Sequence, residues 1–380
     1  MIRLFEEFGP VTKSQWLEKA SRDMKGNNPF EQYVKSFGEE IKQMPYYDSS
    51  DKVDETSTNI ACLLHKRPFE NWYNTQEIHV IDEEKCNQLA LSALSSGVTG
   101  LHFVFSNTQP DLKRLLQNIK LPYIYSCFSG LNVNFLGQYI ENEYSDEEQE
   151  KIQLSVIDSI NNDTKVNSGN ENTFKVGRKD YALTLRVTNP DDLTKIIAEK
   201  MSQFVDFVTS SNDENVQNLF NRVIVCNSCI DHYFLEVAKL RAVRILFAEI
   251  GAYYKVESPR IFIQSKTTTS TDHLDNLLTN TTQSMAAITG GTDAIIVTPH
   301  LHTESANQPT PAEAEFSSRI ARNVSNLIDE ESQLGKVMDP AAGSWYISNL
   351  TQMLVNQSWK KFTEIEELGG YSKKSELLAS

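Results

Sequence analysis

Short apolar, β-branched runs alternate with helical patterns from about residue 58 to the end of this chain, and that alternation restricts the fold more than any single motif does. The runs are Asn59 to His65, Thr99 to Ser106, Pro122 to Phe128, Tyr181 to Val187, Arg222 to Cys226, Arg260 to Gln264, Asp293 to Val297 and Ser344 to Ile347. Such continuously apolar runs suit parallel strands buried on both faces. Helical stretches follow them: Glu83 to Ser96, Pro110 to Asn118, Glu147 to Ile160, Pro190 to about Thr209, DHYFLEVAKLRAVRILFAEIG, Leu274 to Thr289, FSSRIARNVSNLIDEES, and Asn349 to Glu367. Strict alternation at this length predicts a (β/α)8 TIM-type barrel over residues 56–380. An open doubly wound sheet is the alternative. It usually carries a Gly-rich phosphate turn after its first strand, where HKRPF stands here.

Residues 1–55 read differently. VTKSQWLEKASRDMKG predicts one helix, capped by Ser14, with Trp16, Leu17, Ala20 and Met24 on one side and Gly26 at its end. Pieces this short bury no core of their own, so an N-terminal arm packing on the barrel or on a partner is expected. A net charge of −15 opposes general nucleic-acid binding, because phosphates are repelled. No apolar run is long enough to span a bilayer, and the N-terminus lacks a signal-like apolar segment. Five sparse cysteines suit a reducing, cytoplasmic setting.

Barrel enzymes place their chemistry on the loops after the strands. Those positions hold His65, Lys66 and Arg67, then Ser106 and Asn107, Asn227 to Cys229, Gln264 to Lys266, and Thr298 to Glu304. Cys226 and Cys229 form a CxxC pair, but a zinc site needs two further ligands and no second pair exists. His300 and His302, spaced to face one side of an extended loop, are weak metal candidates; exposed loop histidines are commoner than ligands.

The closing stretch, FSSRIARNVSNLIDEES followed by DPAAGSWYISNLT, resembles the methylmalonyl-CoA mutase family, with its ARIARN helix and DPAGGSYYVESLT segment. DHYFLEVAKLRAVRILFAEIG is similar to the family's NFFMEIAKLRAARLLWA helix, and SMAAITGGTDAI to its EAMAA..GGTQSL segment. VTKSQWLEKASRDMKG and QMPYYDSSD resemble the arm of the smaller subunit in heterodimeric members. The likeness covers nearly the whole chain and is densest from Asp231 to Thr351.

This resemblance implies a barrel through which acyl-CoA is carried, with adenosylcobalamin held between the barrel and a C-terminal flavodoxin-like domain. That domain's DxHxxG motif, whose histidine ligates cobalt, is not found in these 380 residues. By the same match Arg67, Gln264, Gln283, Gly290 and Gly291 are substrate- or cofactor-facing remnants. Against the family's RPWTIRQYAG, the run RPFENWYNTQ keeps Arg67 and Pro68 but puts Glu70, Trp72 and Asn74 where Thr, Arg and the active-site Tyr stand. The family's SGYHMQEAGA histidine has no counterpart, and KTTTST replaces TSGW after Gln264. The expectation is a non-catalytic small subunit. It would pair with a catalytic large subunit that binds the adenosylcobalamin, and the complex would isomerise methylmalonyl-CoA to succinyl-CoA. The alternative is a stand-alone acyl-CoA or cobalamin barrel with an altered site.

Overall fold

A computed structural model describes the chain except residues 1–8, 54–70, 158–177, 212–214 and 302–309 and positions 10, 39, 52, 107–108, 180, 188, 258, 271 and 380. The expected strand from Asn59 to His65, and with it His65, Lys66 and Arg67, lies outside the described residues.

The N-terminal segment begins with helix α1 (Lys13–Asp23) and the short helix α2 (Pro29–Tyr33). Thr12, not Ser14, caps α1, because its side chain accepts from the Gln15 amide while Gln15 returns the bond in a capping box. The hairpin β1 (Lys35–Phe37) and β2 (Ile41–Gln43) follows, and Phe37 and Ile41 enter the main core.

Among the described residues nine further strands form a parallel sheet. They are β3 (Tyr73–Val80), β4 (Gly100–Phe105), β5 (Tyr125–Ser129), β6 (Gln153–Ile157), β7 (Arg178–Lys179), β8 (Tyr181–Leu185), β9 (Val223–Ser228), β10 (Phe262–Lys266) and β11 (Ala294–Ile296). The sheet runs β7-β6-β5-β4-β3-β11-β10-β9-β8. Its two ends are sequence neighbours: β7 pairs with β6, and β8, beginning two residues after β7 ends, pairs with β9. The two pieces therefore act as one split stave, and the sheet closes on itself as an eight-stave (β/α)8 barrel rather than an open doubly wound sheet.

Helices α3 (Glu83–Ser95), α4 (Leu112–Leu115), α5 (Val133–Glu143), α6 (Asp146–Gln149), α7 (Leu193–Ser210), α8 (Val216–Asn221), α9 (Tyr233–Tyr253), α10 (His273–Thr289), α11 (Pro311–Glu330), α12 (Trp345–Glu367) and α13 (Tyr371–Ala379) surround it. Their starts are chemically set. Asp82 accepts from the Lys85 amide before α3, and Asp272 accepts from Leu274 and Asp275 before α10. Thr310 and Glu313 form a capping box around Pro311, whose missing N–H is not needed in a first turn. Helix α9 is buried nearly all round, which explains its weak amphipathicity.

Two expectations are corrected. Glu147 to Ile160 is not one helix: α6 stops at Gln149 and QLSVI forms β6, because Leu154, Val156 and Ile157 join the sheet interior and its outer core. Acidic SDEEQEK carries a helical pattern up to the break and hides the strand behind it. Ser344 to Ile347 is not a strand. Ser344 accepts from the Ile347 amide and caps α12, and packing of Leu350, Leu354 and Val355 into the main core overrides the β preference of Trp-Tyr-Ile.

Candidate functional site

Side chains alternate along a strand, so β3 divides its residues between the barrel axis and the helices. Tyr73 joins the cluster on the axis, whereas Ile78 joins the outer core. Trp72 and Asn74 also turn outward. Trp72 Nε1 donates to Ser325 Oγ at 2.8 Å, and Asn74 Nδ2 to Asn326 Oδ1 at 2.7 Å, both on α11. A catalytic group must point into the barrel or its mouth. Position 74 therefore does not stand where an active-site tyrosine would, and the inward positions are 73, 75 and 77.

The axis is filled. The Tyr73 and Tyr125 rings stack with centroids 5.0 Å apart, and Phe262 lies 5.0 Å from Tyr125 and 6.4 Å from Tyr73. These rings come from β3, β5 and β10, so they meet across the barrel. Ile224 and Ala294 pack beside them. The Tyr125 hydroxyl hydrogen-bonds Gln264 Oε1 and Ser155 Oγ, each at 2.9 Å. Burial pushes this phenol well above its ordinary pKa, so it is a neutral structural group. Cys127 and Cys226 lie in the same interior. Burial raises both thiols, that of Cys226 to about 12, which makes them inert.

Charged residues cluster above the rings, at the C-terminal ends of the strands. Lys266 Nζ donates to both carboxylate oxygens of Glu77 at 2.8 Å. His79 Nε2 lies 3.2 Å from Glu77 Oε1. Burial alone would raise the Glu77 carboxyl, but the His79 hydrogen bond and the Lys266 and His102 charges outweigh it and hold the group well below the usual carboxylate range. His102 Nε2 lies 2.7 Å from Ser129 Oγ, and its Nδ1 is 3.6 Å from Glu77. Burial lowers the His102 pKa to about 4 against the opposing pull of Glu77. The order Ser129, His102, Glu77 has the outline of a nucleophilic triad. Yet Ser129 is 1% exposed, and 3.6 Å is too long for a hydrogen bond. No substrate carbonyl reaches that hydroxyl.

A cavity of about 170 Å³ opens beside this cluster, between β3, the segment after β11, and α11. Glu77, Lys266, Gln76 and Arg322 line its polar side.

The residues singled out in the sequence scatter. Gln264 faces the axis but is 4% exposed and held by Tyr125. Gln283, on α10, accepts from the Thr268 amide at 2.8 Å and donates to Asp231 at 2.5 Å, which ties together the loops after β9 and β10. Gly290 and Gly291 sit at the opposite end, before β11. A Cβ on Gly290 would meet Leu240 at 3.0 Å, and Gly291 takes a left-handed φ of +91°. His300 Nδ1 lies 2.9 Å from Ser317 Oγ, while His302 and Arg67 lie outside the described residues. Among the described residues no group of three or more His, Cys, Asp or Glu side chains is placed to hold a metal. Cys226 and Cys229 join different clusters, Cys226 on the axis and Cys229 in the main core. Glu77 and His102 escaped the sequence reading. The available signal was short: only EIHV alternates polar with apolar residues, placing Glu77 and His79 on one face and Ile78 and Val80 on the other.

Fold and site together define a (β/α)8 barrel with a packed axis. Residues 197–376 match the family model described as methylmalonyl-CoA mutase. The chain is 28% identical to the methylmalonyl-CoA mutase small subunit of Porphyromonas gingivalis over 98% of its length and 66% of that protein's. A stretch covering 37% of the chain is 36% identical to the small subunit from Propionibacterium freudenreichii subsp. shermanii, covering 22% of it. A stretch of the same coverage is 34% identical to the large subunit of P. gingivalis, covering 20% of that protein. The chain thus spans less than two thirds of the length of these relatives. A solved structure of Yersinia pestis DHPS with a pterine-sulfa conjugate aligns at a TM-score of 0.31 and 12% identity, over 67% of this chain and 94% of that one, too loosely to carry weight. Residues 197–376 thus resemble the methylmalonyl-CoA mutase family, and the likeness to the P. gingivalis small subunit runs over nearly the whole chain. No helix among its described residues is long and apolar enough to cross a membrane.

Proposed function

We propose that this chain is the small, non-catalytic subunit of a heterodimeric methylmalonyl-CoA mutase, with a catalytic large subunit as its partner. The complex interconverts methylmalonyl-CoA and succinyl-CoA in the cytoplasm. The observation that carries this reading is the ring stack of Tyr73, Tyr125 and Phe262 across the barrel axis. An acyl-CoA carried through the barrel would have to pass where these buried rings touch.

The residues at the mouth do not fit adenosylcobalamin either. His102 is buried on Ser129, and the Lys266–Glu77 pair stands over the axis. The neighbouring cavity, at about 170 Å³, falls below the roughly 300–1,000 Å³ of ordinary ligand and cofactor pockets. On this reading no chemical step is assigned to this chain, and the partner holds the cofactor. Relatives named as small and as large subunit in one organism support a two-chain assembly.

Residues 1–55 are proposed as an arm. Within the described part, Lys13 pairs with Asp51 at 2.7 Å, the Asn349 side chain on α12 donates to the Asp51 carbonyl, and Lys361 pairs with Glu40 at 2.9 Å. These contacts support an arm packing on α12 of its own chain.

Size-exclusion chromatography of this chain mixed with a methylmalonyl-CoA mutase large subunit from the same organism tests the reading. A co-eluting complex is expected. Separate elution, with the large subunit fully active alone, would sink it. Calorimetry separates the rival, a stand-alone acyl-CoA or cobalamin binder, since it requires heat from this chain alone with one of those ligands.

A further inference from the structure

The cavity beside the barrel mouth is not on the barrel axis, and the reading of the chain as a non-catalytic subunit assigns it nothing. Its walls come from β3, from Ile296 to Leu301, and from Ser318, Ala321 and Arg322 on α11. Two contrasting linings meet there. Ile296, Val297, Leu301 and Ala321 form an apolar wall, while Lys266, Arg322 and Glu77 supply two positive charges and one negative. Glu77 and Glu315 balance the two cations, so the preference for an anion comes from the donors left open, one N–H of Lys266 and the Nε–H of Arg322.

The cations are held rather than loose. Arg322 is 6% exposed, with Nη1 on Gln76 Oε1 at 3.2 Å and Nη2 on Glu315 at 3.0 Å. Its Nε is buried with no hydrogen-bond partner. A guanidinium kept this dry gains from a nearby anion more than an exposed one does. Lys266 is the accessible member, with its side chain 42% exposed, and the Glu77 pair fixes its ammonium at the rim. An ammonium has three donor hydrogens, so one remains for a ligand beside the two contacts to Glu77. Small volume, an apolar wall and fixed donors on one side define an amphipathic anion.

We propose that this cavity binds a short-chain monocarboxylate, its carboxylate on the Lys266 and Arg322 side and its alkyl tail against Ile296, Val297 and Ala321. The proposal does not depend on the subunit assignment, because the isolated chain suffices to test it.

Calorimetric or NMR titration of the full chain with butyrate, and with the neutral isostere butyramide, makes the test. Saturable butyrate binding is expected below about 10 mM, with butyramide at least about tenfold weaker. Lys266→Gln should weaken butyrate about tenfold, and its urea midpoint reports whether the fold is kept. Equal affinity for butyrate and butyramide overturns the proposal. So does the absence of saturable binding up to about 100 mM, or unchanged affinity in a folded Lys266→Gln chain. If that variant fails to fold, the butyrate and butyramide comparison on the unaltered chain decides alone.

Discussion

Arg244 donates to Asp293 at 2.7 Å, with the two side chains 2% and 3% exposed. The pair joins the middle of α9 to the foot of β11. Arg260 reaches the other Asp293 oxygen at 2.7 Å, and the Ile263 amide donates at 2.8 Å. Arg244 also donates to the Ile261 carbonyl at 3.0 Å. A buried carboxylate satisfied this fully is stable in place but intolerant of losing its partners. Asp293→Ala should therefore lower the unfolding free energy by about 3–5 kcal/mol, because Arg244 and Arg260 stay behind without their counter-charge. Urea denaturation measures this. A loss under about 1 kcal/mol would show that water or side-chain movement compensates.

His102 gives the stability a pH dependence of known sign. Its folded pKa, about 4, lies below the ordinary value of 6.5. As pH falls from 6.5 toward 4 the unfolded chain takes up a proton that the folded chain refuses, so stability falls in that window. Glu77, whose folded pKa is depressed, contributes stability that is present above its ordinary 4.5 and is lost at lower pH. Acid should thus weaken the fold in two stages, with His102 first. His102→Gln, whose amide reaches as far as Nε2 and keeps a donor for Ser129, should flatten the upper stage and also shrink the lower one, because the His102 charge helps to hold the Glu77 carboxyl down. Unfolding free energies measured across pH 4 to 7 read this out. An unchanged upper slope in the variant removes His102 as its source.

The ring stack makes a prediction about activity as well as stability. Phe262 is 5% exposed and packs on Tyr125. Phe262→Leu keeps most of the volume but loses the aromatic contact, at about 1–1.5 kcal/mol. If the chain is the non-catalytic subunit proposed above, turnover of the reconstituted complex should stay within about twofold of the parent, a barrier change of no more than about 0.4 kcal/mol. A drop in kcat of ten times or more, with the complex intact, would mean that this axis takes part in the reaction.

The alternation of strands and helices made the barrel legible, yet two of its strands went unread and one was expected at Ser344 to Ile347, where a helix begins. QLSVI was hidden behind the acidic run before it, and YNTQEIHV is too polar to read as a buried strand because Thr75, Gln76 and Glu77 carry functional-looking groups on β3. Ser344 to Ile347 looked like a strand because three β-prone residues outweigh one cap in a short window. The site was less legible than the fold. Whether Asn74 or Glu77 faces the axis depends on strand register, and a one-residue slip exchanges every side chain between faces. The Lys266–Glu77 pair joins residues 189 positions apart, which no local pattern reveals.

The family-like motifs acquire a physical role through a second buried pair. Arg241 on α9 donates to Asp339 of the DPAAG turn, and the side chains are 3% and 6% exposed. One helix, AKLRAVR, thus anchors two segments, GGTDA through Arg244 and DPAAG through Arg241. Such a pair has a characteristic energetic signature. Arg241→Met leaves the Asp339 carboxylate buried alone, and Asp339→Leu leaves the guanidinium alone, so each single change should cost about 3–5 kcal/mol. The double variant buries neither charge, and its cost should fall well below the sum of the singles, with a coupling of about 1–3 kcal/mol. A double-mutant cycle in urea measures the coupling. Additive costs would mean that the two side chains act independently, and that the turn before α12 is held by its backbone and the Ser344 cap alone.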